Sequence, residues 1–173
     1  SVNESPWMPM DPHEVAEYED DDTANSSNIE RFQGCDDVLR TYVVSTDGKV
    51  SACCGIGSRF IEELKSENPF DQADRSFLKE AVFEAEQDFL KLWLRVAGPI
   101  HILEWCSSKD KDIEWENMYA HRCQACVRMY TDPRVRKIIS DHYLEVVPDV
   151  LAKFALAYKL EGFAADFVSN DTD

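Results

Sequence analysis

The chain has 173 residues, 44% of them apolar, with 34 acidic against 18 basic side chains and a formal net charge of -16. Its length and apolar content suffice for one domain with its own core, while its charge argues against a nucleic acid backbone or an anionic membrane as a partner, because either would repel it. No apolar run is long enough to span a bilayer, and the N-terminus lacks the basic-then-apolar order of a secretory leader, so the cytoplasm is the expected compartment.

Residues 1–30 carry nine carboxylates and no Lys or Arg, including the run EYEDDDTANSSN, and read as an acidic, flexible lead-in or linker. Within them SPWMPMDP holds three prolines and reads as a solvated stretch, with Trp7 and Met8 as an alternative handle for another surface. The folded part, residues 31–173, is expected to begin near Ile29.

Next comes RTYVV, rich in β-branched and aromatic residues, then TDG, a turn in which Gly48 can take positive φ, then KVSAC as the return strand. This is a β-hairpin. In SRFIEELKSENP a possible Ser58 cap precedes Phe60, Ile61 and Leu64 at helical spacing, and Pro69 stops the element, so a short helix is expected. A longer helix is expected from about Asp74 to Ala97, on the stripe Phe77, Leu78, Ala81, Val82, Ala85, Phe89, Leu92 and Trp93. Gly98-Pro99 ends it. IHILEWCSS reads as a short helix, DIEWENMYAH as another short element, and DPRVRKIISDHYLEVVPDVLAKFALAYKLEG as one or two helices interrupted near Pro148. The fold class is therefore α+β and mostly helical: one β-hairpin followed by several helices around a four-cysteine metal site.

The six cysteines are Cys35, Cys53, Cys54, Cys106, Cys123 and Cys126. In a reducing compartment, and in a chain too large to need staples, they point to metal or redox chemistry rather than to disulfides. The hairpin returns the chain so that Cys35, before its first strand, and Cys53, after its second, reach the same open end. HRCQACVRMY adds a C-x-x-C, which lets Cys123 and Cys126 face one metal centre from a single turn, with Arg122 and Arg128 near enough to lower thiol pKa values.

From Cys35, twelve residues lead to Gly48, four more to Cys53, and a long helical stretch to Cys123-x-x-Cys126. This pattern resembles the twitch form of the auxiliary-cluster domain at the C-terminus of radical S-adenosylmethionine enzymes, a shortened relative of the SPASM domain, over roughly Gly34 to Val127. The resemblance implies one auxiliary [4Fe-4S] cluster held by Cys35, Cys53, Cys123 and Cys126. It implies a role in relaying an electron or positioning a peptide or small-molecule substrate. The C-x-x-x-C-x-x-C that holds the catalytic cluster in such enzymes does not occur in this chain. A radical-generating barrel is thus expected in cis or in trans, S-adenosylmethionine would enter only through it, and the chain alone is not expected to be catalytic.

Alternatives stand beside each assignment. Cys54 is the alternative to Cys53: neighbours on a strand point to opposite sides, so one of the two should bind, and the Gly48 spacing favours Cys53. Cys106, beside Trp105, reads as a small core residue. His101 and His121 read as ordinary histidines, Trp93, Trp105 and Trp115 as core, Glu114 and Glu116 as a solvated face, and Gly55 and Gly57 as points where backbone N–H groups could approach cluster sulfides. The alternative function is a structural four-cysteine zinc module that staples the hairpin to the helices and leaves the acidic surface for a partner. The blandest reading is a metal-free helical interaction domain.

Overall fold

The computed structural model describes residues 23–54, 59–69 and 76–157. Residues 1–22, Gly55, Gly57, Ser58 and Asp74 lie outside the described residues, and with them the expectations placed there. No helix is long and apolar enough to cross a membrane among the described residues.

Strands β1 (Val43–Val44) and β2 (Lys49–Ser51) form the expected hairpin, with Val43 opposite Ser51 and Val44 opposite Val50. Its turn closes through Gly48 N–H to the Ser45 carbonyl at 2.9 Å, with Gly48 at φ 81°, a conformation glycine adopts without a Cβ penalty. Asp47 accepts from the Ser45 hydroxyl and from Lys49 N–H, which locks the turn from its own side chain.

The short helix expected over Ser58 to Pro69 does not form. Glu62–Leu64 makes one 3-10 turn, and Lys65–Pro69 becomes a third strand, β3, antiparallel to β2. The outer edge of β2 offers N–H and C=O groups that need partners, and this demand overrides the helical spacing. Ile61 and Leu64 are buried as expected, but Phe60 is 43% exposed. The pairing is irregular between Lys49 and Ser51, where the Ser66 hydroxyl accepts from Val50 N–H at 3.0 Å.

The long helix is two. α1 (Phe77–Gln87) ends at Asp88, whose extended backbone and carboxylate start α2 (Phe89–Ala97). Its Oδ1 accepts from Leu90 N–H at 2.9 Å and Lys91 N–H at 3.3 Å, while Oδ2 holds the Lys91 ammonium at 2.7 Å. An aspartate inside an apolar stripe is therefore a cap, not a helical residue. Of the expected stripe, Ala81, Ala85, Leu92 and Trp93 are buried, whereas Leu78 is 46% exposed.

Gly98, at φ 81°, closes α2 and opens α3 (Pro99–Lys109), with Pro99 in the first turn where its missing N–H costs nothing. Ile100, Ile102, Leu103 and Cys106 of α3 are fully buried, packed on α2, α4 (Arg122–Thr131) and α5 (Pro133–His142). After the 3-10 turn Tyr143–Glu145, a sixth helix, α6, occupies 147–157. Pro148 thus sits in the first turn of a new helix, and the interruption falls just before it.

The DIEWENMYAH segment is not a helix. Its turns bury Ile113, Trp115 and Tyr119 and bind the start of the fold: Ala24 N–H donates to the Tyr119 carbonyl at 2.9 Å and Asn117 N–H to the Ala24 carbonyl at 2.8 Å. Ala24 is fully buried and Ser26 N–H donates to the Glu116 carboxylate, so the packed chain starts at least as early as Thr23, ahead of the boundary expected at Ile29. The architecture is mostly helical α+β: among the described residues, six helices and a three-stranded antiparallel sheet in the order β1-β2-β3.

Candidate metal centre

Five of the six cysteines line one pocket. Cys35, Cys53, Cys54, Cys123 and Cys126 share it with Asp37, Val38, Leu64, Leu94, Pro99 and Arg122. Cys106 lies elsewhere, fully buried in the core on α3, as its apolar surroundings suggested.

Three pieces of local structure bring the thiols together. The first is the entry to the hairpin. Gly34 adopts φ 62°, and Cys35 is fixed at both backbone ends by Arg95: Cys35 N–H donates to the Arg95 carbonyl at 3.3 Å, and Arg95 Nη1 donates to the Cys35 carbonyl at 3.3 Å. Arg122 Nη1 holds the Gly34 carbonyl at 3.0 Å from the opposite side. The second is the bend after β2. Ala52 N–H donates to the Leu64 carbonyl and Leu39 N–H to the Ala52 carbonyl, which pins the chain just before Cys53 and Cys54. Strand alternation ends at Ser51, and both of these cysteines line the pocket. Cys53 is buried, with the Ser51 hydroxyl 3.4 Å from its sulfur, and Cys54 is half-buried.

The third piece is the N-terminus of α4. His121 caps it, its Nδ1 accepting from Cys123 N–H at 3.2 Å, while Gln124 Oε1 accepts from His121 N–H at 3.1 Å. This reciprocal cap sets the first helical turn, and the turn places Cys123 and Cys126 on one side, three residues apart. Burial, and then the neighbouring Arg122 charge, push the His121 pKa down, which suits a ring nitrogen that accepts. His121 acts on the site through the backbone. His101 is not in the pocket and lies 3.6 Å from Glu104.

Electrostatics run against the sequence expectation. Burial pushes the Cys123 thiol up to about 12, with further upward contributions from Cys54, Cys35 and Cys53, and pushes the Cys126 thiol well above its ordinary value. Arg122 lines the pocket but does not reverse this, and Arg128 turns away to Tyr119, Asp132 and the Glu114 carbonyl. Closely spaced buried thiols resist ionisation together, because each thiolate raises the cost of the next. They ionise when a cation joins them.

No protein-family model, no curated protein and no solved structure matches the chain. What the site can do therefore follows from its own residues. Among the described residues no three His, Cys, Asp or Glu side chains already stand in an arrangement that holds a metal ion. The thiols share a pocket without forming a finished coordination shell, and the space free between them is about 20 Å³. The wall formed by residues 52–54 is bent chain outside regular structure, whereas Cys123 and Cys126 ride on a capped helix.

Two features of this region have weak sequence signals. Asp37 lines the pocket two residues after Cys35, and Tyr130, one helical turn beyond Cys126, is buried. A second concavity of about 600 Å³ shares Leu64 with the thiol pocket and is lined by Lys49, Lys65, Lys91, Glu62, Glu67 and Glu84, among others. Its lysines are engaged by carboxylates: Lys65 with Asp47 and Glu62, both at 2.8 Å, and Lys91 with Asp88.

Proposed function

We propose that the chain is a metal-centre domain in which Cys35, Cys53, Cys123 and Cys126 hold an auxiliary [4Fe-4S] cluster, serving a radical S-adenosylmethionine barrel present in cis or in trans. The observation that carries the reading is the gathering of these four cysteines, from three separate pieces of structure, in one pocket. The chemistry of the donor set fits: thiolates are the protein ligands of such clusters, and the other pocket walls are largely apolar, which limits water. A cluster bound there supplies one-electron exchange. The chain's own residues hold the ligands in place. Arg95 and Arg122 fix the Gly34-Cys35 backbone, His121 fixes the α4 turn, and the Leu64 carbonyl anchors the bend. Arg122 sets one positive charge against the negative charge that four thiolates bring. Cys54 is the spare thiol, half-buried beside Cys53.

Iron-sulfur is preferred over zinc on the resemblance alone, which pairs the hairpin cysteines with the C-x-x-C in one cluster site. One observation favours the second reading, a structural zinc site: the free space of about 20 Å³ suits an ion better than a four-iron core, which would push the Cys53–Cys54 wall outward. Six free cysteines accord with a reducing, cytoplasmic setting. The partner barrel, and a substrate delivered between the two, belong to the same proposal. Anaerobic purification followed by iron, sulfide and zinc analysis separates the readings. Iron and sulfide in equal amounts with broad visible absorption support the cluster, one colourless zinc supports the staple, and no metal rejects both.

A further inference from the structure

Ser51 is fully buried at the end of β2, the middle strand of the sheet. Its backbone is paired on both sides, with Val43 of β1 and with Lys65 of β3, so the sheet fixes where its short side chain can reach. What the hydroxyl reaches is sulfur: Ser51 Oγ lies 3.4 Å from Cys53 Sγ. Buried hydroxyls are paired with few exceptions, and among the described residues the partner of this one is that thiol. Cys53 is itself buried, and it lines the pocket that it shares with Cys35, Cys123 and Cys126. A polar group from the centre of the sheet thus touches a proposed ligand directly.

Between a hydroxyl and a neutral thiol either atom can donate, and the bond is weak both ways, because a thiol is a poor donor and a poor acceptor. Metal binding removes the ambiguity. The ligating sulfur is a thiolate, which has no proton to give and can only accept, and a bond to an ionised acceptor is about twice as strong as a neutral one. We infer that Ser51 donates its O–H to the Cys53 sulfur of the metal centre, and so raises the centre's reduction potential rather than holding the metal. This rests on the cluster reading above. Ser51 is a positioning residue, not a ligand. A hydrogen bond to a ligand sulfur stabilises the reduced, more negative form more than the oxidised one.

The test compares wild type with Ser51→Ala and Ser51→Thr, all reconstituted anaerobically with ferrous iron and sulfide. The expected result for Ser51→Ala is equal iron content with the reduced form about ten-fold less favoured, a midpoint about 59 mV more negative for one electron. Ser51→Thr keeps the hydroxyl and should keep the wild-type midpoint. A merely structural serine would move the melting point and leave the potential alone. An unchanged midpoint in Ser51→Ala at equal iron overturns the inference. So does an alanine variant that loses its iron, which would give Ser51 a holding role, or a threonine variant whose midpoint falls as far as that of the alanine variant. If the added methyl keeps Ser51→Thr from folding, the midpoints of wild type and Ser51→Ala decide by themselves. Failure of the underlying reading looks different: wild type itself then takes up no iron, and the inference falls with it.

Discussion

Gly98→Ala should damage both the fold and the metal centre, and the size of the effect can be worked from the backbone. Gly98 has φ 81° and ψ 160°, a region open in practice to glycine alone, where another residue costs about 1–3 kcal/mol. A Cβ there would stand 2.8 Å from the Phe32 carbonyl oxygen, 2.8 Å from the Gly34 carbonyl oxygen and 3.0 Å from Gly34 nitrogen. These are backbone atoms and cannot rotate away, so overpacking adds about 1–3 kcal/mol. A total near 3 kcal/mol corresponds to a melting point lower by roughly 6–12 °C for a chain of this size. The strain has a direction. The segment pushed away is Phe32–Gly34, which carries Cys35, so metal uptake should fall as well. Denaturant unfolding of the chelated protein, with metal analysis of the reconstituted one, reads both effects. An alanine variant within about 0.5 kcal/mol of wild type and with full metal would refute the reasoning.

Three further outcomes are expected. Asp47 is held well below the usual carboxylate range, first by the Lys65 ammonium at 2.8 Å and then by Ser45 and Lys49 N–H. Because its folded pKa is depressed, its contribution to stability is complete above the ordinary value of 3.8 and is lost as pH falls below it, so Asp47→Asn should flatten the acid limb of the stability curve there. Asp88→Ala should cost about 2–4 kcal/mol in chemical denaturation, because it removes the α2 cap and strands the buried Lys91 ammonium, and Lys91→Met in the same chain should recover part of the loss. The chain alone, reconstituted and given a strong reductant, should release no 5′-deoxyadenosine from S-adenosylmethionine above a no-protein control, and release would contradict the proposed division of labour with a barrel.

The hairpin was legible because its signals are local: β-branched strands, and an aspartate and glycine at the turn. The α3 helix was legible for a similar reason, since Gly98-Pro99 marks its start in the chain itself. What escaped the sequence was decided at a distance. Residues 65–69 became a strand because β2 had an unpaired edge, which no local spacing records. Asp88 looked like a polar interruption in an apolar stripe, and its capping role depends on where its own carboxylate turns. In the site, the gathering of Cys35, Cys53, Cys123 and Cys126 followed from the hairpin and the C-x-x-C, whereas the place of Cys54 in the same pocket depends on the bend after Ser51, where strand alternation no longer applies. The arginines were misjudged in the same way: proximity in sequence suggested depressed thiol pKa values, but burial dominates.

The central claim is that four particular sulfurs hold the centre, and metal content across single cysteine variants tests it most directly. Cys35→Ser, Cys53→Ser, Cys123→Ala and Cys126→Ser should each lose most of the iron that anaerobic reconstitution gives the wild-type chain. Cys54→Ser and Cys106→Ala should retain it, the first because Cys54 is the spare thiol of the pocket, the second because Cys106 lies in the core away from it. Equal loss from Cys106→Ala and Cys123→Ala, or full retention in all four ligand variants, would contradict the account.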